Sequence, residues 1–306
     1  MGKKIICFII LLLCNLWGTG CAGNTDNNTF AEIENLQIKV PGLQKEYKMI
    51  YISDLHIISD VNEVSEEHLQ TVQARKASMV NPEGKTADHY WNELADKINE
   101  YNADIVLLGG DMIDFMSPSN VACLKEGLER IKSPVMYVRA DHDYANWYQK
   151  TLSPETVNEL SKTIDSNEEI FAKEIGELLV IGINNSTSQI SPSAVLKLED
   201  VLHNNKKPVI ILTHVPIQSK INYELDKMSK AVWQERSLIW GNNCYYIPDQ
   251  NTEQFIELIQ NRDNNVVAIL SGHLHFSYQG EFTPSITQHV FGAAYEGKIA
   301  VIHITE

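Results

Sequence analysis

Short apolar runs rich in Ile, Val and Leu recur along the chain: Met49–Ile52, Ile105–Leu108, Val135–Val138, Leu178–Ile183, Val209–Leu212 and Val266–Leu270. Runs of this length without polar interruption suit strands covered on both faces. Two later runs, His289–Ala293 and Ile299–Ile304, read as closing strands. Between the runs the apolar period lengthens to that of a helix. Trp91, Leu94, Ile98 and Tyr101 form one such face, and Val121, Leu124, Leu128 and Ile131 another. Ser191-Pro192 supplies a capping hydroxyl and a first-turn proline ahead of Val195, Leu198 and Leu202. Phe255, Leu258 and Ile259 mark a later helix. Alternating strand and helix signals predict an α/β domain with buried sheets. Two stretches are longer than crossovers need. Residues 57–90 are polar at first, and residues 216–250 contain Trp233, Trp240, Tyr245 and Tyr246. Both read as elaborations around one domain.

The N-terminus follows another rule. Lys3 and Lys4 precede an unbroken apolar run, Ile5–Leu13, then small residues Gly18, Thr19 and Gly20, then Cys21. Basic, apolar and small, in that order, is the pattern of an export signal over residues 1–20. The run is shorter than the roughly 20 residues that span a bilayer, which makes an uncleaved anchor helix the lesser reading. Gly-Thr-Gly before Cys21 resembles the lipobox of bacterial lipoproteins, although Gly18 stands where such boxes usually carry an aliphatic residue. The resemblance implies a lipid anchor at Cys21 and a place in the cell envelope. Residues 21–35 begin with small polar side chains and read as a tether, leaving 36–306 as the folded domain.

Charge narrows the partners. Asp and Glu number 40 against 25 Lys and Arg, a formal net charge of −15 over 306 residues. Such a surface does not bind a nucleic-acid duplex, which needs Lys and Arg to neutralise phosphates. A phosphate-bearing ligand must be met locally, by a few cations or by metal. Beyond the signal only Cys123 and Cys244 remain. One disulfide between them is open, and a thiolate zinc site is not suggested.

The chemistry sits where the apolar runs end. Met49–Ile52 leads into Asp54-Leu55-His56, and Ile105–Leu108 into Gly109-Gly110-Asp111-Met112-Ile113-Asp114. Val135–Val138 leads into Arg139-Ala140-Asp141-His142-Asp143, Val209–Leu212 into Thr213-His214, and Val266–Leu270 into Gly272-His273-Leu274-His275. In α/β sheets the carboxyl ends of strands are where ligands bind. Carboxylates and imidazoles without thiolates suit Mn, Fe or Zn. If Asp54-x-His56 and His273-x-His275 are extended, alternate residues point to one side and each pair aims two donors at one site. Glycines 109, 110 and 272 would allow tight turns and a close approach to the backbone. One short motif is weak evidence; five in order, each ending an apolar run, are not accidental.

The ordered set resembles the calcineurin-like metallophosphoesterases, in blocks across residues 49–275. The resemblance implies two sheets packed face to face with helices outside, the metals lying at the strand carboxyl ends. It implies two divalent ions, Mn, Fe or Zn. Asp54, His56 and His275 would hold one, Asp141, His214 and His273 the other, and Asp111 would bridge them. His142 would act on the leaving group, oriented by Asp114, and a metal-bridging hydroxide would attack a small phosphorylated substrate. Position 141 departs from the family pattern, which has Asn, and Ala140 replaces a glycine. The additional carboxylate makes the site less positive, which favours a phosphodiester over a monoester dianion; a trivalent ion would restore the charge. Phe115 stands where the protein-phosphatase branch has Arg. Tyr144, Trp147 and Tyr148 could line a wall for a substrate or merely fill space, and Arg139 could meet phosphate or a structural partner. The expected function is an exported phosphoesterase leaning to phosphodiesters. The alternatives are an extracytoplasmic phosphomonoesterase or nucleotidase, and a catalytically weak surface lipoprotein that binds metal or phosphate.

Overall fold

The computed structural model describes residues 31–145, 148, 152–162, 168–184, 189–234 and 236–306. The expected signal, Cys21, most of the expected tether and Trp147 lie outside the described residues.

The chain opens with strands β1 (Glu32–Lys39) and β2 (Tyr47–Ile52), then helices α1 (Leu69–Ser78) and α2 (Ala87–Asn99). Strand β3 (Ile105–Leu108), helix α3 (Pro118–Arg130), strand β4 (Val135–Tyr137) and helix α4 (Pro154–Lys162) follow. Next come β5 (Ile170–Ile175), β6 (Leu178–Ile183), α5 (Pro192–Asn204), β7 (Val209–Thr213), α6 (Glu224–Trp233) and α7 (Gln250–Gln260). Strands β8 (Val266–Ser271), β9 (Tyr278–Thr283), β10 (Ile286–Val290) and β11 (Lys298–Thr305) complete the fold. The strands form two mixed sheets, ordered β1-β11-β2-β3-β4 and β5-β6-β7-β8-β10-β9. In each, the central ligand-bearing strands run parallel: β2 with β3 and β4, and β6 with β7 and β8.

Alternation along the strands builds three apolar layers. Met49, Tyr51, Ile105, Leu107 and Met136 of the first sheet meet Leu178, Val180, Ile210, Leu212, Ala268 and Leu270 of the second. The intervening residues Ile50, Ile52, Val106 and Leu108 face outward onto Trp91, Leu94, Ile98, Val121 and Leu124 of α2 and α3. On the far side Ile181, Ile183, Ile211 and Ile269 pack on Val195, Leu198, Phe255 and Ile259 of α5 and α7. Because both faces of every central strand are covered, the strands are continuously apolar. The result is the expected pair of sheets between helices. Ser191 caps α5 by accepting the Ala194 N–H, with Pro192 in the first turn, as the sequence predicts.

The differences fall mostly at sheet edges and in the elaborations. Strand β1 begins at Glu32, inside the expected tether, and pairs in parallel with β11 along its whole length. Its alternating exposed and covered positions leave no apolar run to detect. Strands β5 and β9 are edges of the same half-exposed kind. The expected strand 289–293 is instead Ile286–Val290; Phe291 onward leaves the sheet, and the backbone turns toward the strand ends. Helix α1 buries only Val72, so the 57–90 stretch carries no helical stripe. Cys123 and Cys244 are both free thiols.

Candidate active site

Two loops zip together at the carboxyl ends of β2 and β3. Asp54 N–H donates to Gly110 O at 2.9 Å, His56 N–H to Asp111 O at 2.9 Å, and Asp114 N–H to Ile57 O at 3.1 Å. From the second sheet, Gly272 N–H reaches His214 O at 3.0 Å, and His273 N–H reaches the Asp54 carboxylate at 3.1 and 3.2 Å. The loop before β11 closes the ring: Ala294 and Tyr295 N–H donate to Ser53 O and Asp54 O.

The Asp-x-His and His-x-His pairs are not extended. Asp54, His56, Asp111, His273 and His275 all adopt left-handed backbone, with φ between 49° and 69°. Left-handed backbone costs roughly 1–2 kcal/mol for an ordinary residue, so the surrounding hydrogen bonds must hold these turns. Paired side chains still converge, but through turns rather than strand alternation. The glycines do what the sequence implies. A Cβ at Gly110, itself at φ +98°, would meet His214 Nδ1 at 2.7 Å, and one at Gly272 would meet Asp54 Oδ2 at 2.4 Å.

The side chains gather in overlapping groups. Asp54, His56 and His275 bring donor atoms within 4.8 Å of one another, as do Asp111, His214 and His273. Asp111 Oδ2 lies 3.1 Å from His214 Nε2 and 3.8 Å from His56 Nε2, between the two groups. Asp141 groups with Asp111 and His142, and so meets the His214–His273 pair through Asp111. All nine candidate residues of the sequence therefore share one rim. His56 Nε2 and His273 Nε2 are buried without a hydrogen-bond partner. Buried orphan nitrogens beside carboxylates are the signature of a cation site. Nitrogen and oxygen donors without sulfur suit Mn, Fe or Zn. Asp54, His56 and His275 would hold one ion and Asp111, His214 and His273 a second.

Asp114 holds more than the sequence suggests. Its carboxylate accepts from His56 Nδ1 at 3.0 Å and from Arg75 at 2.6 and 3.0 Å. His142 Nδ1 sits closer to the Asp114 carbonyl oxygen, at 2.8 Å, than to its carboxylate, at 3.4 Å. Asp114 thus orients His142 mainly through its backbone and His56 through its side chain. Asp143 is wholly buried and accepts the N–H groups of Asp111, Met112, Ile113 and Ala140 at 2.9–3.1 Å, fixing the loop that carries Asp111. Arg75 and Tyr295, whose hydroxyl is 3.3 Å from His275 Nδ1, left no signal in the sequence. Arg75 is on a helix without an apolar stripe, and Tyr295 lies in a loop far along the chain.

The protein groups polarise one another. Burial opposes a charged His214, but the Asp111 and Asp54 carboxylates push its pKa up to about 10. Burial and the charge of His214 drive His273 down to about 3, and burial lowers His56. Burial favours neutral carboxyls at Asp54 and Asp111, yet His214 holds both below the ordinary range. His142 is raised against its burial by Asp111 and Asp114. Burial and the Asp111 charge lift Asp143 to about 6.

A family model described as calcineurin-like phosphoesterase matches residues 47–277. The chain belongs to that family. Members of that family are metal-dependent phosphoesterases, and the strand-end carboxylates and imidazoles are donors of the kind such metals take. Two relatives from Helicobacter pylori strains, each named an uncharacterized metallophosphoesterase, are 24% identical to it over 194 and 191 residues. Those matches cover 61% of this chain and 43% of each relative, so the chain spans less than half of their length. A dimetal phosphatase from Danio rerio shares the fold, with a TM-score of 0.52 at 11% identity, covering 82% of this chain and 88% of the other.

Of the two roles the sequence leaves open for Tyr144 and Tyr148, the structure shows packing. Tyr144 lies under the buried Arg139 guanidinium at 4.1 Å, and Tyr148 packs on Phe115 and His68. The rings at the ligand histidines are Tyr295, against His275 and His56, and two from the 216–250 elaboration, Trp233 against His275 and Tyr246 against His273.

Proposed function

We propose that the chain hydrolyses phosphodiesters outside the cytoplasm, held at the envelope by a lipid on Cys21. One observation carries the diester preference: Asp141, a third carboxylate, joins Asp111 and His142 at the rim. Arg75 gives its guanidinium to Asp114, and Arg139 is buried over Tyr144. A phosphate arriving there meets one negative charge more than with the family's Asn. A monoanionic diester tolerates that charge better than a dianionic monoester. Bound at these residues, paired ions supply charge neutralisation and an acidified water.

The chain's own residues then set the geometry. Asp54 and Asp111 are locked by their loops, so ions held by them would have fixed positions against which a phosphoryl group could be oriented. With Nδ1 tied to the Asp114 carbonyl, His142 directs Nε2 away from Asp114, and its side chain is 18% exposed. From there a protonated Nε2 can donate to the departing oxygen. The test compares bis-p-nitrophenyl phosphate with p-nitrophenyl phosphate on manganese-loaded full chain. Faster diester cleavage is expected, and Asp141→Asn should shift the preference toward the monoester by about tenfold. Faster monoester cleavage by the unaltered chain overturns the preference. For the anchor, Cys21→Ser should move the protein from the membrane fraction to the soluble one; if the variant still sediments with membranes, Cys21 is not the anchor.

A further inference from the structure

The elaboration at 216–250 sets two aromatic side chains against the ligand histidines, one of them, Tyr246, resting partly on the outer apolar layer. Trp233, the last residue of α6, is 37% exposed, and its ring centroid lies 5.7 Å from that of His275 at 76°. Tyr246 is half-buried, 5.5 Å from the His273 ring at 65°. Tyr245 stands behind it, 5.0 Å from Tyr246 and 58% exposed. Each of the two ligand groups therefore has one ring of the same elaboration against its histidine. Both rings meet the imidazoles steeply, so neither is stacked flat on its histidine. Aromatic rings beside a few convergent polar groups are the lining expected of a ligand site.

Building on the phosphoesterase reading above, we propose that Trp233 and Tyr246 are specificity-determining residues that hold a planar ring in the organic part of the ester. The substrate class is then an ester of a nucleoside or another flat aromatic alcohol, not an inorganic phosphate chain or a small alkyl ester. Three features favour a ring. The wall is aromatic rather than aliphatic where it touches the ligand histidines. A π-face accepts a ring whatever its hydrogen-bonding edge. The chain is strongly acidic, so the organic part is not selected by positive charge.

The experiment uses three diesters with one leaving group: methyl, hexyl and thymidin-5′-yl p-nitrophenyl phosphate, on manganese-loaded full chain. The thymidinyl ester should exceed the methyl ester in kcat/KM by about tenfold, mostly through KM. Trp233→Ala and Tyr246→Ala should bring that ratio close to one, while Trp233→Phe and Tyr246→Phe, which keep a ring, should preserve it. Equal rates for all three esters overturn the proposal, and so does a hexyl ester at least as fast as the thymidinyl ester. A parallel binding measurement by equilibrium dialysis, thymidine 5′-monophosphate against methyl phosphate, needs no turnover. Preferential binding lost in Trp233→Ala supports the wall even where none of the esters is cleaved, an outcome that sinks only the hydrolytic reading. Equal binding of the two overturns the wall.

Discussion

Five of the nine candidate residues sit in left-handed backbone, a conformation that a free chain avoids. What holds them is a lattice of main-chain bonds between the loops after β2, β3 and β8, with Asp143 and Arg75 fastening two of the carboxylates or their loops. Arg75→Ala leaves the buried Asp114 carboxylate with only its histidines. We expect a loss of about 2 kcal/mol in urea unfolding, together with weaker retention of the ion held by His56; Arg75→Lys should recover part of each. Titration at His214 gives a second outcome. Its folded pKa, about 10, lies above the ordinary histidine value, so the charged form stabilises the metal-free fold fully below about pH 6.5. That contribution is lost as pH rises through about 10. A ligating imidazole must be neutral, so metal binding near pH 7 displaces the proton. Affinity for manganese should therefore climb between pH 6.5 and 9, and calorimetry in buffers of different ionisation enthalpy should detect released protons. Affinity independent of pH would contradict this account of His214.

Elements succeed or fail in legibility by how fully they are covered. The central strands β3, β6, β7 and β8 are apolar at nearly every position because sheet lies on one side and helix on the other. The amphipathic helices α2, α3, α5 and α7 show their buried stripe for the same reason. The edge strands β1, β5 and β9 and the loosely seated α1 hide because solvent takes half of each. The contact between α2 and α3 is set by a missing side chain. Trp91 Nε1 donates to Leu124 O at 3.0 Å, and a Cβ on Gly127 would sit 2.0 Å from that nitrogen. Gly127→Ala should destabilise the protein by about 1–3 kcal/mol despite the better helix propensity of alanine. A raised urea midpoint would show that the helices can part without penalty.

On the scale of the molecule, the two sheets bring one ligand set together from both sides. Asp54, His56, Asp111, Asp141 and His142 follow strands of the first sheet, and His214, His273 and His275 follow strands of the second. Slippage between sheets would separate Asp111 from His214, so the interior packed between β3 and β7 is part of the site's precision. Because Asp111 Oδ2 lies between the two groups, 3.1 Å from His214 and 3.8 Å from His56, Asp111→Ala should abolish tight binding of both ions. Asp54→Ala with His275→Ala should leave about one ion per chain. Metal content after gel filtration distinguishes these outcomes; two ions retained by Asp111→Ala would remove it from the bridging place.

The order of acids and histidines after apolar runs was enough to select the family and to name nine residues that the fold brings to one rim, because strand cover and donor chemistry are both written in residue type. The left-handed turns, the carboxylate of Asp114 shared between Arg75 and His56, and the aromatic flank from 216–250 were decided only by folding. Each depends on contacts between segments distant in sequence, and such contacts leave no period or spacing along the chain. Phe115 shows the limit: its place after Asp114 predicted the lack of one arginine, while the fold delivered another, Arg75, to the same carboxylate from a helix the sequence pattern did not reveal.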